Sequence, residues 1–320
     1  MPPNEIRVSA SRLKSIGKCS FSFYNIEVEK VPEDTHPKTH MGSLAHSILE
    51  CLTRKRHKKK YKKILKDGTI NKIPALVRMR RKWQERYNIA DEIMVDLDGC
   101  VMTGLLHTNY EAKGAIKVFE PEWEFRLEGK DYVGKGFVDR MYEEPEEFVL
   151  VDYKTMGTKF TTEAEMLKEF DIQATIYQVA IWKYFKKRAR VEFYLLRYPP
   201  TEKKPNQHKR VIPAKIEMEL FGFEVYMEHM GKYFTHFNYE DAKSNFLAAN
   251  PKKIGFCNYV CKMKNPFSYW VILDSKDKIV KSSRSEINIC NENQKIEKRE
   301  YLGCFWFYKN DGTRRMKSFE

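Results

Sequence analysis

The stretch Phe148-Val149-Leu150-Val151-Asp152-Tyr153-Lys154 decides the fold. Its nearly continuous apolar run is typical of a central strand that is covered on both faces. Asp152 and Lys154 stand two residues apart at its end, so both side chains leave the same face of such a strand. The stretch therefore predicts a buried strand that presents a carboxylate and an ammonium group side by side.

A strand pair is predicted just before this stretch. Apolar and charged residues alternate over residues 123–127, and Glu-Gly-Lys-Asp at residues 128–131 is typical of a hairpin turn. A returning strand over residues 132–142 carries Asp139. Because only a short connection separates this strand from the next, we expect the two to be antiparallel neighbours, with Asp139 near Asp152.

Apolar residues recur at helical spacing on either side of these strands. The pattern predicts helices over residues 41–58, 74–87 and 162–187, and a further strand over residues 191–197. A strand, helix, strand order favours a right-handed parallel crossover. The core order is helix, three strands, helix, strand, which predicts an α/β protein with one sheet flanked by helices.

The C-terminal third of the sequence is less regular. We expect an exposed loop over residues 200–210, a strand near 212–219, a helix near 223–237, and strands within 269–273 and 301–308. The segment between the last two strands is polar and carries no recognisable motif.

The composition excludes several classes of protein. With 42% apolar and 32% charged residues, the 320-residue chain has enough apolar residues for a core, so disorder throughout is not expected. No run approaches the ~18 apolar residues of a membrane span, and the N-terminus has no signal region, so we expect a protein of the cytoplasm, or of the host cytoplasm if phage-encoded. Seven cysteines are too few for a disulfide framework. The sequence has no Gly-x4-Gly-Lys-Ser/Thr phosphate loop, which excludes a motor.

The charge distribution favours a polyanionic partner. The chain has 58 Lys and Arg against 44 Asp and Glu, a net charge of +14, and such side chains displace the counterions condensed on phosphate backbones. Eight of the ten residues 54–63, the basic segment, are Lys or Arg, and residues 186–190 hold four more. Within the basic segment, the expected contacts to the polyanion are Arg54, Lys55, Arg56, Lys58, Lys59 and Lys60. A solvated helix end is the alternative for both clusters.

Asp139 and Asp152 are candidate metal ligands. Two carboxylates a strand apart can hold magnesium or manganese, with water and phosphate as the remaining ligands. Such an ion makes water nucleophilic and neutralises charge in the transition state. Lys154 can stabilise the negative charge that develops there. Together the three residues predict a phosphodiesterase site.

These residues and their neighbours also have purely structural interpretations. The Asp-x-Lys spacing recurs at Asp241/Lys243 and Asp274/Lys276 without a strand pattern, so an ion pair at a sheet edge is the alternative. His46, on an apolar helix face, is either a ligand or a core histidine. Gln173 and Tyr177 lie one helical turn apart, where an amide and a phenol can grip a phosphate or a base, or simply form local hydrogen bonds.

Four motifs taken together resemble the RecB-like branch of the PD-(D/E)XK nuclease superfamily, which includes CRISPR-associated RecB-like exonucleases and many phage exonucleases. They are Gly42-x3-His46, Gly136-Phe137-Val138-Asp139, Val151-Asp152-Tyr153-Lys154-Thr155 and Gln173-x3-Tyr177. The resemblance covers about residues 6–270. It implies a restriction-endonuclease-like core in a nuclease domain over residues 1–270, with a helical insertion at about 58–115. Residues 271–320 would form a C-terminal extension of unknown role.

The resemblance also implies roles for individual residues. His46, Asp139 and Asp152 would coordinate the metal, and Asp139, Asp152 and Lys154 would carry catalysis. Gln173 and Tyr177 would contact DNA, and the basic segment would guide the strand. Further carboxylates that come into question are Glu50 and Glu124.

The implied activity is a Mg²⁺- or Mn²⁺-dependent DNA exonuclease that acts at DNA ends in recombination, replication or repair, of phage or prokaryotic type. Any helicase or recombination protein would be a separate partner. The alternatives are an inactive DNA-binding or assembly subunit that keeps the fold, an endonuclease, and an RNA-directed nuclease.

Members of this branch often carry an iron-sulfur cluster on one N-terminal and three C-terminal cysteines. Cys19 resembles the first, and Cys257 and Cys261 resemble the start of the second group, but residues 265–268 contain no cysteine. A cluster needs four ligands, and Cys290 or Cys304 could supply the missing one only if the tail folds back. A metal-free remnant is therefore the expectation, with a cluster or a zinc ion as alternatives.

Overall fold

The computed structural model describes residues 7–33, 37–155, 163–244, 261–288 and 290–308. The chain divides into two compact units. The first consists of Met1–Ala10 and Thr35–Lys232, and the second of Ser11–Asp34 and Tyr233–Glu320.

The described elements include both helices and strands, which confirms the predicted α/β class. In chain order they are β1 (Arg7–Val8), α1 (Ala10–Lys18), α2 (Ser20–Glu27), α3 (Pro37–Thr53), α4 (Lys58–Asp67), α5 (Pro74–Tyr87), α6 (Asp91–Leu106), β2 (Lys117–Val118), β3 (Trp123–Glu128), β4 (Val133–Val138), β5 (Arg140–Glu143), β6 (Phe148–Lys154), α7 (Glu163–Phe185), β7 (Ala189–Leu195), β8 (Lys209–Ile212), α8 (Glu217–His236), α9 (Tyr239–Ser244), β9 (Phe267–Leu273), β10 (Ile279–Ser283) and β11 (Lys295–Tyr301). A short 3₁₀ turn over Lys55–His57 separates α3 from α4.

The main sheet of the first unit has the strand order β2-β5-β6-β7-β8. Its central strand is β6, which is antiparallel to β5 and parallel to β7. The connection from β6 to β7 runs through α7, as the strand, helix, strand pattern predicts. The apolar stretch at residues 148–154 is therefore the middle of the sheet, and its C-terminal end carries Asp152 and Lys154.

Helices cover both faces of this sheet. Val149, Val151 and Tyr153 of β6 share one apolar cluster with residues of α3 to α6. On the opposite face, Phe170 of α7 stacks on Phe193 of β7, with ring centroids 4.4 Å apart. Because successive residues of β6 point to opposite faces, Asp152 and Lys154 lie on the face that α7 covers.

The predicted single strand over residues 132–142 is divided at Asp139. β4 pairs with β3 and β1 in a separate sheet of order β1-β4-β3, whereas β5 pairs with β6. Asp139 is the one residue between β4 and β5, at the point where the chain passes from one sheet to the other. Because Arg140 is paired with Val151, Asp139 lies level with the end of β6.

Three other expectations differ from the structure. The helix expected over 41–58 begins at Pro37 and ends at Thr53. The strand expected near 212–219 is β8, which ends at Ile212, and the following residues begin α8 instead. The strand expected within 301–308 lies earlier, as β11.

The second unit has its own sheet and core. Its strands β10, β9 and β11 pair in that order and are antiparallel. Tyr269, Val271 and Leu273 of β9 pack with Met263 and Tyr301 in one buried cluster. Among the described residues of the whole chain, no helix is long and apolar enough to cross a membrane.

Candidate active site

Asp152 and Lys154 form an ion pair at the C-terminal end of β6. Lys154 Nζ lies 2.6 Å from Asp152 Oδ2, and the Asp152 side chain is 5% exposed. Lys154 Nζ also donates a hydrogen bond to Gln173 Oε1 at 3.0 Å. The same-face arrangement that the spacing predicts is therefore present, and the ammonium group is held in one position by two partners.

Asp139 is held beside this pair by the backbone of β6 and by α3. The Tyr153 backbone N–H donates to Asp139 Oδ2 at 2.7 Å, and His46 Nδ1 lies 3.3 Å from the same oxygen. Burial alone would raise the pKa of Asp139, but His46 and the hydrogen bond from Tyr153 outweigh it and lower that pKa. Asp139 is thus kept ionised although the protein surrounds it.

The pKa values of His46 and Asp152 are also shifted by burial and by the charges of this site. Burial opposes the charged form of the imidazole, yet the carboxylates of Asp139 and Asp152 outweigh it, so the pKa of His46 is raised. Burial raises the pKa of Asp152, and Lys154 opposes that rise only in part. The site is a compact group of two carboxylates, an imidazole and an ammonium group.

Gln173 and Tyr177 of α7 bind Asp152 and Lys154 directly. Gln173 Nε2 donates to Asp152 Oδ1 at 2.6 Å and lies 2.7 Å from the Tyr177 hydroxyl, which donates to the same Asp152 oxygen at 3.2 Å. Tyr177 is 6% exposed. The pair lies on one helix face as predicted. Its geometry favours positioning of the two β6 side chains, and its contact with DNA stays a prediction.

Gly42 explains why the helix motif begins with glycine. A Cβ atom at residue 42 would lie 2.3 Å from Thr155 Oγ1, closer than any normal contact. Thr155 follows Lys154 directly, so Gly42 allows α3 to approach the end of β6. This close approach lets His46, one turn further along α3, reach Asp139.

We expect Gly42→Ala to destabilise the protein by about 1–3 kcal/mol, because Thr155 or α3 has to move to admit the new methyl group. The double variant Gly42→Ala with Thr155→Ala should regain most of that loss, since it removes the hydroxyl that the methyl group meets. Thermal or urea unfolding measures both.

Gly99 in α6 is the matched control, because a Cβ atom there meets nothing within 4 Å. Gly99→Ala should be neutral or stabilising by up to ~1 kcal/mol. If Gly42→Ala were as stable as the wild type, the contact between α3 and Thr155 would not be tight. The same would follow if the double variant regained none of the lost stability.

Glu122 is a site residue that the sequence pattern does not reveal. It lines the same cavity as His46 and Asp139, and its backbone N–H donates to the Asp139 carbonyl at 3.1 Å. Burial, and then the charge of Asp139, raise its pKa to about 7. Its φ of 56° is rare for a residue other than glycine. Three glutamates alternate over residues 120–124, so no spacing rule selects the middle one.

The two carboxylates considered from the sequence are not among the residues that line this cavity, although the charge of Glu50 contributes to the raised pKa of Glu122. Glu124 is exposed on β3 and pairs with Lys135 at 2.6 Å. Glu50 pairs with Arg54 at 2.5 Å. The alternation of β3 turns Glu124 to the solvent face, whereas Glu122 precedes the strand and is turned by its backbone toward the cavity.

A cavity of about 580 Å³ opens beside these residues. Its walls combine acidic, cationic and hydroxyl side chains. They include Lys38, Thr39, Ser43, His46, Glu122, Asp139, Lys154, Thr155 and Arg197. A phosphate group entering this cavity would meet the cations Lys38, Lys154 and Arg197, which come from three separate segments of the chain.

The donor set fits a hard divalent cation. Asp139 and Asp152 supply carboxylate oxygens, the donor type that magnesium and manganese prefer in proteins, and His46 adds an imidazole nitrogen, a softer donor that suits manganese better than magnesium. As they stand, no three His, Cys, Asp or Glu side chains among the described residues surround one point at metal distances. The reason is visible at Asp152, whose oxygens contact Lys154, Gln173 and Tyr177. A bound cation would take over one of these contacts.

The basic segment lies on the 3₁₀ turn and the first turns of α4. Lys58 and Lys59 are exposed, whereas Tyr61 and Ile64 on the opposite side of α4 are buried. Lys60 Nζ lies 3.2 Å from His57 Nδ1. The segment is thus an amphipathic helix start that directs its lysines to solvent. The Lys55 side chain lies outside the described set.

The cysteines singled out in the sequence lie in the second unit. Cys19 immediately precedes α2, and Cys261 begins the described segment before β9. Cys257 lies outside the described residues. Cys100 is buried in α6, in agreement with a small apolar residue.

Comparison with known proteins matches most of the chain to one family. The family model of the PD-(D/E)XK nuclease superfamily matches residues 7–265. Among solved structures, the chain is similar to a protein from Eubacterium rectale described as a candidate exonuclease, with 13% identity and a TM-score of 0.42 over 79% of this chain and 88% of that chain. A similarity this low carries no functional argument. No curated protein matches the chain.

Proposed function

This chain belongs to the PD-(D/E)XK nuclease superfamily, and we propose that it is a Mg²⁺- or Mn²⁺-dependent DNase that hydrolyses phosphodiester bonds at DNA ends. The observation that carries the proposal is the group of Asp139, Asp152, Lys154 and His46 beside one cavity. In an inactive subunit, random substitutions would normally have replaced at least one of these four residues. The set and its hydrogen-bonded supports are all present.

The chemistry of the site follows from what each side chain can hold. When bound, a divalent cation would neutralise charge on the scissile phosphate and make a nearby water molecule more acidic. Asp139 and Asp152, with His46, would hold it. Lys154, fixed by Asp152 and Gln173, places a positive charge where the phosphate oxygens become more negative.

Gln173 and Tyr177 would act through Asp152 and Lys154 in this proposal. Their hydrogen bonds fix the carboxylate and the ammonium group relative to each other before substrate arrives. Because these side chains are already oriented, little free energy is needed to reorganise them during the reaction. Their charges can therefore stabilise the transition state effectively.

The preference for DNA ends rests on the resemblance to RecB-like exonucleases, and digestion of matched substrates tests it. End-labelled linear duplex, single-stranded DNA and covalently closed circles of one sequence are incubated with Mn²⁺. We expect the linear forms to be degraded from their ends and the circles to stay intact. If the circles were cut as fast as the linear DNA, the enzyme would be an endonuclease. If an RNA strand of the same sequence were degraded faster than the DNA, it would be a ribonuclease.

The basic segment is proposed to guide the DNA strand toward the site. Each phosphate contact contributes about 0.7–0.9 to the slope of log affinity against log salt concentration. Lys58→Gln with Lys59→Gln should therefore weaken DNA binding at low salt and reduce this slope by about one to two. Single-turnover cleavage at saturating DNA should not change, because neither lysine belongs to the site.

The adjacent exposed lysines Lys203 and Lys204 provide the control for this test. Glutamine at both positions removes the same charge from a loop with no proposed role in DNA binding. If both double variants changed the salt slope equally, the basic segment would contribute to DNA binding only through the net charge of the protein.

The wider assignments stay proposals as well. We keep the division into a nuclease domain over residues 1–270, with a helical insertion at about 58–115, and an extension over residues 271–320. A role in recombination, replication or repair, with a separate helicase or recombination protein as partner, fits a nuclease that lacks a motor motif.

A further inference from the structure

Helix α8 is fixed to the first unit along one of its sides. Leu220 and Met227 on that side are buried. The Glu228 carboxylate accepts a hydrogen bond from the Asp131 backbone N–H at 2.9 Å. A Cβ atom at Gly231 would clash with the Asp131 carbonyl, so the helix backbone lies directly against the turn between β3 and β4. These contacts fix which side of α8 faces the solvent.

The solvent side of α8 carries large apolar side chains. Met218 is 79% exposed, Phe221 65%, Val225 41% and Tyr226 40%. They belong to one stripe at steps of three and four residues, the α8 stripe, which consists of Met218, Phe221, Gly222, Val225, Tyr226 and His229. An apolar stripe is normally the buried side of a helix, but this one lies opposite the buried side. An exposed patch of this kind marks an interaction surface.

Gly222 lies in the middle of the α8 stripe. Among the described residues, nothing lies within 4 Å of where its Cβ atom would be, so packing within the chain does not require a glycine. Glycine is also unfavourable in the interior of a helix. A position without a side chain lets the backbone of a second helix approach closely, because the side chains at the contact set the distance between packed helices.

The charges along α8 favour an antiparallel helix of the same sequence as the partner. Glu217 and Glu219 are exposed near the N-terminal end. His229 is exposed further along, and the Lys232 side chain is 58% exposed although it lies 3.5 Å from Asp131. Two antiparallel copies place the acidic end of each helix beside the basic end of the other, whereas parallel copies would bring like charges together. The acidic groups also disfavour DNA as the occupant.

We propose that the α8 stripe is a dimer interface, in which two copies of this chain pack their α8 helices antiparallel. With the two-fold axis midway along the stripe, Gly222 of one copy faces Val225 of the other. Phe221 then faces Tyr226, so two aromatic rings meet on each side of the axis. The surface is therefore complementary to itself, as a two-fold interface requires.

The test is sedimentation velocity of the full-length protein without DNA and without metal. A single helix pair is small for a stable interface, so the protein is measured over a range of about 1–200 µM. We expect the wild type to pass from monomer to dimer within this range. Because neither substrate nor cofactor is present, the result does not depend on the proposed nuclease activity.

Phe221→Asp and Gly222→Gln should each weaken the association at least ~10-fold. Aspartate places a charge in the apolar contact, and the glutamine side chain holds the two helix backbones apart. Both positions face the solvent in the monomer, so neither variant should unfold it. Gly222→Gln should melt no lower than the wild type at about 1 µM, because glutamine favours the helix more than glycine does.

Val95→Asp is the matched control, because Val95 is 71% exposed on α6, outside the α8 stripe. This variant should form dimers as the wild type does. The proposal would be overturned by a wild type that stays monomeric over the whole range. It would also be overturned if Gly222→Gln or a folded Phe221→Asp associated as tightly as the wild type, or if Val95→Asp lost the dimer.

Discussion

Lys154→Ala should lower kcat for DNA cleavage by about 10²–10³-fold, the usual loss when one preorganised donor to a developing negative charge is removed. Lys154 Nζ is held by Asp152 and Gln173 at the end of β6, beside the cavity. Alanine leaves no cation at this position. DNA affinity measured in Ca²⁺ or without metal should stay near the wild-type value, because the basic segment is untouched.

Lys276 supplies the matched control for this variant. It occupies the same position in an Asp-x-Lys pattern, after Asp274, but it is exposed in a turn between β9 and β10. Lys276→Ala should cleave DNA as the wild type does. Equal activity of Lys154→Ala and the wild type would show that the ammonium group takes no part in the reaction, whatever its geometry suggests.

Asp152→Asn should reduce cleavage by more than ~10²-fold and should also abolish the rise in melting temperature that Mn²⁺ causes. The side chain keeps its size but loses the charge that the metal and Lys154 both need. Its oxygens contact Lys154, Gln173 and Tyr177, so the loss of its charge also weakens the contact that positions Lys154. Cleavage assays and thermal unfolding with and without Mn²⁺ measure the two effects separately.

Asp277→Asn is the control for charge removal at an aspartate that also pairs with a lysine. Asp277 lies at the surface of the second unit and contacts Lys295 at 2.8 Å. Its loss should leave both cleavage and the Mn²⁺-dependent stabilisation intact. A wild-type response of Asp152→Asn to Mn²⁺ would mean that this carboxylate does not bind the metal.

The central strand and its two polar residues could be read from the sequence because they depend on local rules. A continuous apolar run defines β6, and a two-residue spacing puts Asp152 and Lys154 on one face. The helix at Pro74–Tyr87 has a proline in its first turn and clear apolar spacing, and its bounds are the predicted ones. Patterns confined to one element are recovered in this way.

The transfer of the chain between sheets at Asp139 could not be read from the sequence. Residues 132–142 contain no proline and no cluster of turn residues that would mark a break, and the break arises because β4 pairs with β3 while β5 pairs with β6. Strand partners are decided by tertiary packing, which a local pattern does not contain. The antiparallel pairing with β6 that brings Asp139 near Asp152 was predicted correctly, whereas the change of sheet at Asp139 was not.

Helix α6 shows a second limit. Apolar residues of Asp91–Leu106 occupy more than one face, because the helix packs inside the first unit, and Gly99 and Gly104 interrupt the apolar spacing. At Gly104 a Cβ atom would lie 2.9 Å from Leu49, so the glycine allows α3 and α6 to pack closely. Glycine thus lowers the apparent helical signal at the position where tertiary packing requires it.

Glu122 was missed as a site residue for a related reason. Glu122 reaches the cavity through an unusual backbone angle rather than through strand alternation. Its position depends on a backbone conformation that residue type does not predict.

A single time course decides whether this chain is a metal-dependent DNase. Wild-type protein purified in a chelator is mixed with end-labelled linear DNA, and Mg²⁺ or Mn²⁺ is added after a delay, with Asp152→Asn and Lys154→Ala run in parallel. We predict no cleavage before the metal is added, release of label by the wild type after it, and little or none by the two variants. Wild-type protein that binds this DNA yet leaves it intact with either metal, or variants that release label as fast as the wild type, would contradict the assignment.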